Sequence, residues 1–468
     1  MKKGLSILLT TLFILTQAFS CGKPEENNQE QNQEEQELEP FGYSCSVASD
    51  NNIFEGKPVF NLHLENPNSV AATAGIVLTI NTDKNKKYVS VELEKEVAAK
   101  GYADITLTTE ENLEPGFYRA TGKVDGKSFL SSTPFGVDPF QIVSAPDMQT
   151  DFDTFWNDAY EQLKGIDMNV TFVPTKYEGT YMVAMQSIPD GLEGDPMIIR
   201  GYYVEPVSDG NKHPAIVHYY GYDDFPGTGT LYCPSGQSDF AHLYISTRGQ
   251  RLNARKASQR QDGIEEDFVN PYEIQWFTVN FGDKDSYYYR GAYMDCVQGI
   301  RFLTLCDDER VMGRIDTDNI FVEGMSQGGA FSYAAAALSK EYPVRALAAA
   351  VAFMGDFPDY FVIAANDGGG FPSMAQSCKK ALGWDDATMY AFLSYFDTKN
   401  LATKVNCPIM AAIGLKDNIC PPHTNIAPYN NALTPAADKQ MTFYPKMDHA
   451  APGGWEGNYR KFFKEKMQ

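Results

Sequence analysis

The chain has 468 residues, a formal net charge of −22 and an isoelectric point near 4.7. That acidic surplus argues against nucleic acid and against anionic lipid headgroups as partners.

The first residues read as a targeting segment. Met1-Lys2-Lys3 is a basic start, Leu5 to Leu15 is a short apolar run, and Ala18-Phe19-Ser20-Cys21 closes it with small residues before a cysteine. A run this short cannot span a bilayer, which takes about 20 residues, so residues 1–20 are assigned as a secretory signal. The closing tetrapeptide resembles a bacterial lipobox. That implies lipidation at Cys21 and an extracytoplasmic protein, held to a bacterial membrane on its periplasmic side or at the cell surface only through that lipid. Residues 22–40 contain seven Glu and almost nothing apolar. They cannot bury enough surface to offset their ordering entropy, so 21–40 is expected to be a disordered acidic tether.

From 41 to 142 the hydrophobic period is two. Phe60, Leu62 and Leu64 alternate with polar residues, as do Ile76, Leu78 and Ile80, then Val89, Val91 and Leu93, then Ile105 and Leu107. Turn signals such as Glu65-Asn66-Pro67-Asn68 and Asp125-Gly126 separate the runs. Evenly spaced short strands of this kind predict a β-sandwich of immunoglobulin-like type. No cluster of catalytic residue types falls in it, so it reads as a spacer or packing module rather than a glycan-binding one.

A second domain is expected over 146–468. It opens with an amphipathic helix in which Phe152, Phe155, Trp156, Tyr160 and Leu163 share one face. Short apolar runs then recur at Ala215–Tyr219, His242–Ile245, Ile320–Val322, Ile409–Ile413 and Met441–Tyr444, with helical stretches such as Tyr288–Leu305 between them. Alternation of this kind means an α/β domain with a mainly parallel sheet covered on both faces. An inserted cap is expected at about 355–400, in a domain long enough to carry one.

Gly324-Met325-Ser326-Gln327-Gly328 lies between one of those strands and an Ala-rich helical run. A strand that reverses into a helix within one residue strains that residue and brings its neighbours two positions away nearly into contact, so glycine is needed at both places. This is a nucleophile elbow. It lifts the Ser326 hydroxyl above the sheet and sets the Gln327 amide at a helix start, where it can hold an oxyanion.

An alkyl hydroxyl needs a base and an orienting carboxylate, in the chain order Ser…Asp…His on such a sheet. Of six histidines, His449 follows the last strand and fits best. His63 and His213 lie in the wrong places, His242 opens a strand, and His218 and His423 fit the order poorly. Asp417 ends the preceding strand and is assigned as the acid; Asp448 reads as a solvated loop carboxylate. Cysteines other than Cys21 form no C-x-x-C pair, so no metal site is indicated.

Arg248-Gly249-Gln250, the Gly324–Gly329 elbow, Leu393-Ser394-Tyr395-Phe396-Asp397 and Gly414-Leu415-Lys416-Asp417-Asn418-Ile419-Cys420-Pro421-Pro422 together resemble the acetyl xylan esterase/cephalosporin C deacetylase family. The likeness runs from about Asp151 to the C-terminus. It implies an α/β-hydrolase fold and a serine esterase that removes acetyl groups from acetylated oligo- or polysaccharides through an acyl-enzyme, with no cofactor. It further implies Ser326 as nucleophile, His449 as base, Asp417 as acid, and the amides of Tyr222 and Gln327 as the oxyanion hole. Arg248 and Gln250 become supports that brace the surrounding loops, and the family's habit of assembling implies a homo-oligomer unless the added N-terminal domain alters or blocks it. One departure stands out: the family carries Glu after the catalytic histidine, where this chain has Ala450. The rival readings are a glycan-binding surface lipoprotein with weak catalysis, motivated by that missing Glu, and a peptidase of the same fold, against which Gln327 speaks.

Overall fold

A computed structural model of the protein describes residues 38–222, 233–252, 264, 272, 275–366 and 370–467. The segment expected to be a signal, Cys21 and nearly all of the expected acidic tether lie outside the described residues.

The N-terminal region is built from two sheets. Strands β1 (Gly42–Val47), β2 (Ile53–Phe54), β3 (Val59–Glu65), β4 (Ala72–Thr82), β5 (Lys87–Val97), β6 (Tyr102–Thr108), β7 (Gly116–Val124) and β8 (Lys127–Val137) form a three-stranded sheet, β1-β3-β6, and a five-stranded sheet, β2-β8-β7-β4-β5. The period-two pattern decides which faces meet. Phe60, Leu62 and Leu64 from the first sheet pack into one core with Ile76, Leu78 and Ile80 from the second. Burying each of these side chains contributes roughly 1.5–3 kcal/mol.

The larger region begins with α1 (Phe152–Lys164), followed by β9 (Thr171–Pro174), β10 (Thr180–Ser187), β11 (Met197–Val204), β12 (His213–Tyr219) and β13 (Ala241–Ser246). Then come α2 (Tyr288–Leu305), β14 (Ile315–Met325), α3 (Gln327–Leu338) and β15 (Ala346–Ala350). Four helices are inserted before the next strand: α4 (Phe357–Asn366), α5 (Gly370–Leu382), α6 (Asp386–Leu393) and α7 (Thr398–Leu401). The chain ends with β16 (Ile409–Gly414), α8 (Pro422–Asn431), β17 (Lys439–Tyr444) and α9 (Trp455–Glu465).

Nine strands make one sheet in the order β17-β16-β15-β14-β12-β13-β11-β10-β9. From β17 to β13 every pairing is parallel, and β11, β10 and β9 extend the sheet antiparallel. Both faces are covered. Val217, Val322 and Leu347 pack with residues of α1, α2 and α3, whereas Ile216, Phe321 and Ala348 pack under Trp455, Phe462 and Phe463 of α9.

After β12 the chain moves to one side to form β13 and then returns to the other side to form β14. Such a reversal opens a crevice at the carboxyl ends of the strands, where open α/β sheets bind ligands. The two regions also share side-chain contacts. Phe117 of β7 belongs to the core of the large sheet, and the β4–β5 turn reaches α4 through Lys84 Nζ and Asp359 Oδ1, 2.5 Å apart. Phe41–Gln468 accordingly pack as one unit.

Candidate active site

β14 and α3 meet at Ser326, which takes φ 59° and ψ −122°. A non-glycine residue rarely adopts this geometry and holds it only when its surroundings over-determine it. The surroundings do so here. A Cβ on Gly324 would sit 2.3 Å from the Gly328 carbonyl, and one on Gly328 would sit 2.1 Å from the carbonyl oxygen of Tyr219 at the end of β12. Only glycine lets the three segments close on the serine. Its backbone is anchored as well: Ser326 N donates to the Ala350 carbonyl at 3.0 Å, and Phe353 N donates to the Ser326 carbonyl at 3.0 Å.

The acid and base come from neighbouring loops. Asp417 follows β16 and is almost fully buried. Its Oδ1 accepts from the amides of Ile419 (2.9 Å) and Cys420 (2.8 Å), and its Oδ2 lies 2.8 Å from His449 Nδ1. His449 Nε2 lies 2.9 Å from Ser326 Oγ. A carboxylate can only accept, so Nδ1 carries the imidazole proton and Nε2 is left to accept from the serine hydroxyl. Gly414 lets the two loops touch, since a Cβ there would lie 2.6 Å from the Met447 carbonyl oxygen. Lys416 N donates to that same carbonyl at 3.1 Å.

Tyr222 and Gln327 flank the serine. Gln327 is the first residue of α3, and its side-chain Oε1 accepts from Tyr289 Oη at 2.8 Å. Gly221 is beside the nucleophile: a Cβ on it would be 3.8 Å from Ser326 Cβ. Gln250 Nε2 donates to the Gly221 carbonyl at 2.8 Å, while Gln250 Oε1 accepts from Thr247 N and Oγ1 at 3.2 Å each. Arg248 lies deeper. Its Nε and Nη2 form a fork on Asp295 of α2 at 2.9 and 2.7 Å, and Nη1 reaches Asp190 Oδ1 at 2.8 Å. Arg248 and Asp295 are both buried, and Ser187 Oγ adds a 2.6 Å bond to Asp295 Oδ1.

Sequence reasoning did not single out several residues at the site. Cys420 Sγ is 4.0 Å from Ser326 Oγ. Tyr222 packs on Trp276 and on Phe371 of α5, with ring centroids 4.9 and 5.2 Å apart, and Phe371 packs on Phe353 at 4.5 Å. The inserted helices thus pack an aromatic side chain against Tyr222 and Phe353. Between β15 and α4, Val351, Met354 and Asp356 all take positive φ. Of these, Cys420 alone lies in a stretch that carries the family resemblance, two residues before the Pro422 that opens α8.

The other histidines have different partners. His63 bonds Asp104 in the N-terminal sheets, and His213 bonds Asp209. His218 Nδ1 lies 2.6 Å from Glu323 Oε1, and its Nε2 lies 2.9 Å from His242 Nδ1. Burial, with the His218 ring and Arg460 nearby, pushes His242 well below the usual imidazole range and keeps it neutral. His423 Nε2 sits 3.0 Å from Asp356 Oδ2 and 3.2 Å from Asp359 Oδ2. Asp448 is exposed.

Among the described residues, two groups bring metal-ligating side-chain types within 4.8 Å: Asp417/Cys420/His449 and Asp356/Asp359/His423. In the first, Asp417 Oδ2 and His449 Nδ1 are spent on each other. In the second, the two carboxylates also meet Lys399 (2.9 Å) and Lys84 (2.5 Å), which makes it an ion-pair cluster.

Known proteins share this architecture. The chain is 27% identical over 366 residues to the acetyl esterase Axe7A of Xylanibacter ruminicola, covering 76% of this chain and 75% of that one. Acetyl xylan esterase 1 from Thermoanaerobacterium sp. JW/SL YS485 superposes with a TM-score of 0.54 at 21% identity, over 70% of this chain and 98% of its own. The acetyl xylan esterase from Paenibacillus sp. R4 gives 0.54 at 24% identity, with the same coverage. At these identities the two structures establish a common fold. The family profile described as acetyl xylan esterase (AXE1) matches residues 142–467, well over half of the sequence, and the chain belongs to that family.

Proposed function

We propose that the protein is a serine esterase that removes acetyl groups from acetylated carbohydrates through an acyl-enzyme. The observation that carries this reading is His449, hydrogen-bonded at once to Ser326 and to the buried Asp417. In this account His449 Nε2 takes the proton of Ser326 as Oγ attacks the acetyl carbonyl, and the imidazolium that forms is stabilised by Asp417. The amides of Tyr222 and Gln327 receive the developing oxyanion, aided by the positive end of α3. His449 then returns its proton to the departing sugar oxygen. Water, deprotonated by the same nitrogen, attacks the acyl-enzyme; acetate leaves and Ser326 regains its proton. Family membership and the acetyl esterase relative support the substrate class. A screen for acetate release over acetylated xylans, mannans, pectins and host-type glycans tests it. Activity confined to aminoacyl amides would replace the reading with a peptidase.

The same reading places the enzyme outside the cytoplasm, tethered by a lipid at Cys21, and treats the two-sheet region as an immunoglobulin-like sandwich. Its support is the basic start, apolar run and cysteine of the leader, and the single core shared by the two sheets. Fractionation tests the tether: Cys21→Ala should move the protein from membranes to the soluble fraction, and a variant that stays with the membranes removes it.

A further inference from the structure

A cleft of about 900 Å³ lies between the N-terminal sheets and the loop that carries His449. One wall comes from the end of β1, the turn around Ser49 and Asp50, and residues 131–134 of β8. The other comes from Lys416 and from residues on both sides of His449, 444–447 and 451–453. Lys416 directly precedes Asp417, so this second wall is built from the same two segments that hold the acid and the base.

Three features mark it as a built site rather than a gap between packed sheets. Its volume is at the upper end of the range for ligand pockets, about 300–1,000 Å³. In β8 the register against β7 slips, so that Ser131 and Ser132 oppose the single residue Thr121. Ser132 is turned to φ 47° at this bulge, and bulges recur where a side chain has to be re-aimed. Lys416, Lys446 and Asp50 are exposed, and among the described residues none of them has an ion-pair partner.

We propose that this cleft binds the main chain of the acetylated polysaccharide, away from the sugar whose acetyl group is being removed. The inference rests on the esterase reading and deepens it. Sugar rings offer hydroxyls that both donate and accept, which suits the Asp50 carboxylate, the Ser132 hydroxyl and the two ammonium groups. Their C–H faces suit the flat ring of Tyr444. Substrate seated here engages the enzyme far from the reacting bond, so its binding energy favours polymers over small esters.

The test uses the full chain carrying Ser326→Ala, so that nothing turns over, in calorimetry with unacetylated hexasaccharides of xylose, mannose, glucose and galacturonic acid. At least one should bind. Asp50→Ala and Lys446→Ala in the same background should each weaken it about tenfold, and Ser132→Trp, which fills the cleft, should abolish it. With Ser326 restored, the same changes should lower kcat/KM on the acetylated polymer about tenfold relative to kcat/KM on nitrophenyl acetate. The proposal is overturned if no hexasaccharide binds, or if all three variants bind as the parent does. Because calorimetry involves no turnover, failure of the esterase reading would show separately, as no acetate released from any carbohydrate.

Discussion

Gln250 Nε2 donates a 2.8 Å hydrogen bond to the carbonyl of Gly221. In a trans peptide the carbonyl and the next amide point in opposite directions. Holding the Gly221 oxygen on Gln250 therefore turns the Tyr222 N–H away from it, which is the orientation an oxyanion donor beside Ser326 requires. Gln250→Ala should lower kcat about 10- to 100-fold with KM little changed. That is short of the roughly 100- to 1,000-fold that removing an oxyanion donor costs. A rise in KM with kcat intact would show that Gln250 acts on substrate binding instead.

Arg248 supports the same loop from below. Its fork on Asp295 is buried on both sides, so Arg248→Ala leaves an uncompensated carboxylate and should destabilise the fold by about 3–5 kcal/mol. The pair Arg248→Met with Asp295→Leu should recover most of that loss. Urea midpoints of the three proteins decide the matter, and a single variant as stable as the parent would contradict the account.

Much of the site was legible because its causes are local. The Gly324–Gly328 spacing follows from contacts between residues two apart, and the order of Ser326, Asp417 and His449 follows from strand succession. What was missed depends on contacts distant in sequence. Ala346–Ala350 has helical propensity, yet it is a central strand covered on both faces, because tertiary packing overrides propensity. The antiparallel strands β9 to β11 likewise fall outside the alternation of strand and helix that marks the parallel part of the sheet. Asp295 sits among the buried residues of α2, and nothing in its neighbours announces Arg248. His423 read as a poor candidate for the base and stands in an ion cluster instead.

That cluster joins the two-sheet region to the large domain and should respond to pH. Burial alone would lower the His423 pKa, but its hydrogen bond to Asp356 and the charges of Asp356, Asp359 and Asp83 outweigh it and raise the value above 6.5. Burial alone would raise Asp356, but His423 and Lys399 pull it well below the carboxylate range. A raised imidazole stabilises the fold below its unfolded value and loses that contribution as pH rises through its folded value. A depressed carboxylate stabilises above its unfolded value and loses it as pH falls. The cluster therefore holds best between about pH 4 and 6.5. The stability gap between the parent and His423→Gln should be wider at about pH 5.5 than at about pH 8.5. A gap that widens toward alkaline pH would reverse the assignment.

On the esterase reading the acetyl group would meet Cys420, whose Sγ lies 4.0 Å from Ser326 Oγ, close to Phe353, which packs on Phe371. Each methylene that such a pocket accepts or refuses changes the barrier by about 1–3 kcal/mol. Acetate esters should be cleaved fastest, propionate more slowly, and butyrate at least about a hundredfold more slowly. Cys420→Ala should narrow the gap between acetate and propionate. A series of nitrophenyl esters measures this, and a profile peaking at octanoate would indicate a lipase-like pocket.

The most direct test of the central claim is acetate released from acetylated carbohydrate by the parent, Ser326→Ala, His449→Ala and the double variant. Residues of a triad act as a unit. Each single variant should therefore lose nearly all turnover with its fold intact, and the double variant should be little worse than either. Near-parental acetate release by a correctly folded Ser326→Ala would contradict the account.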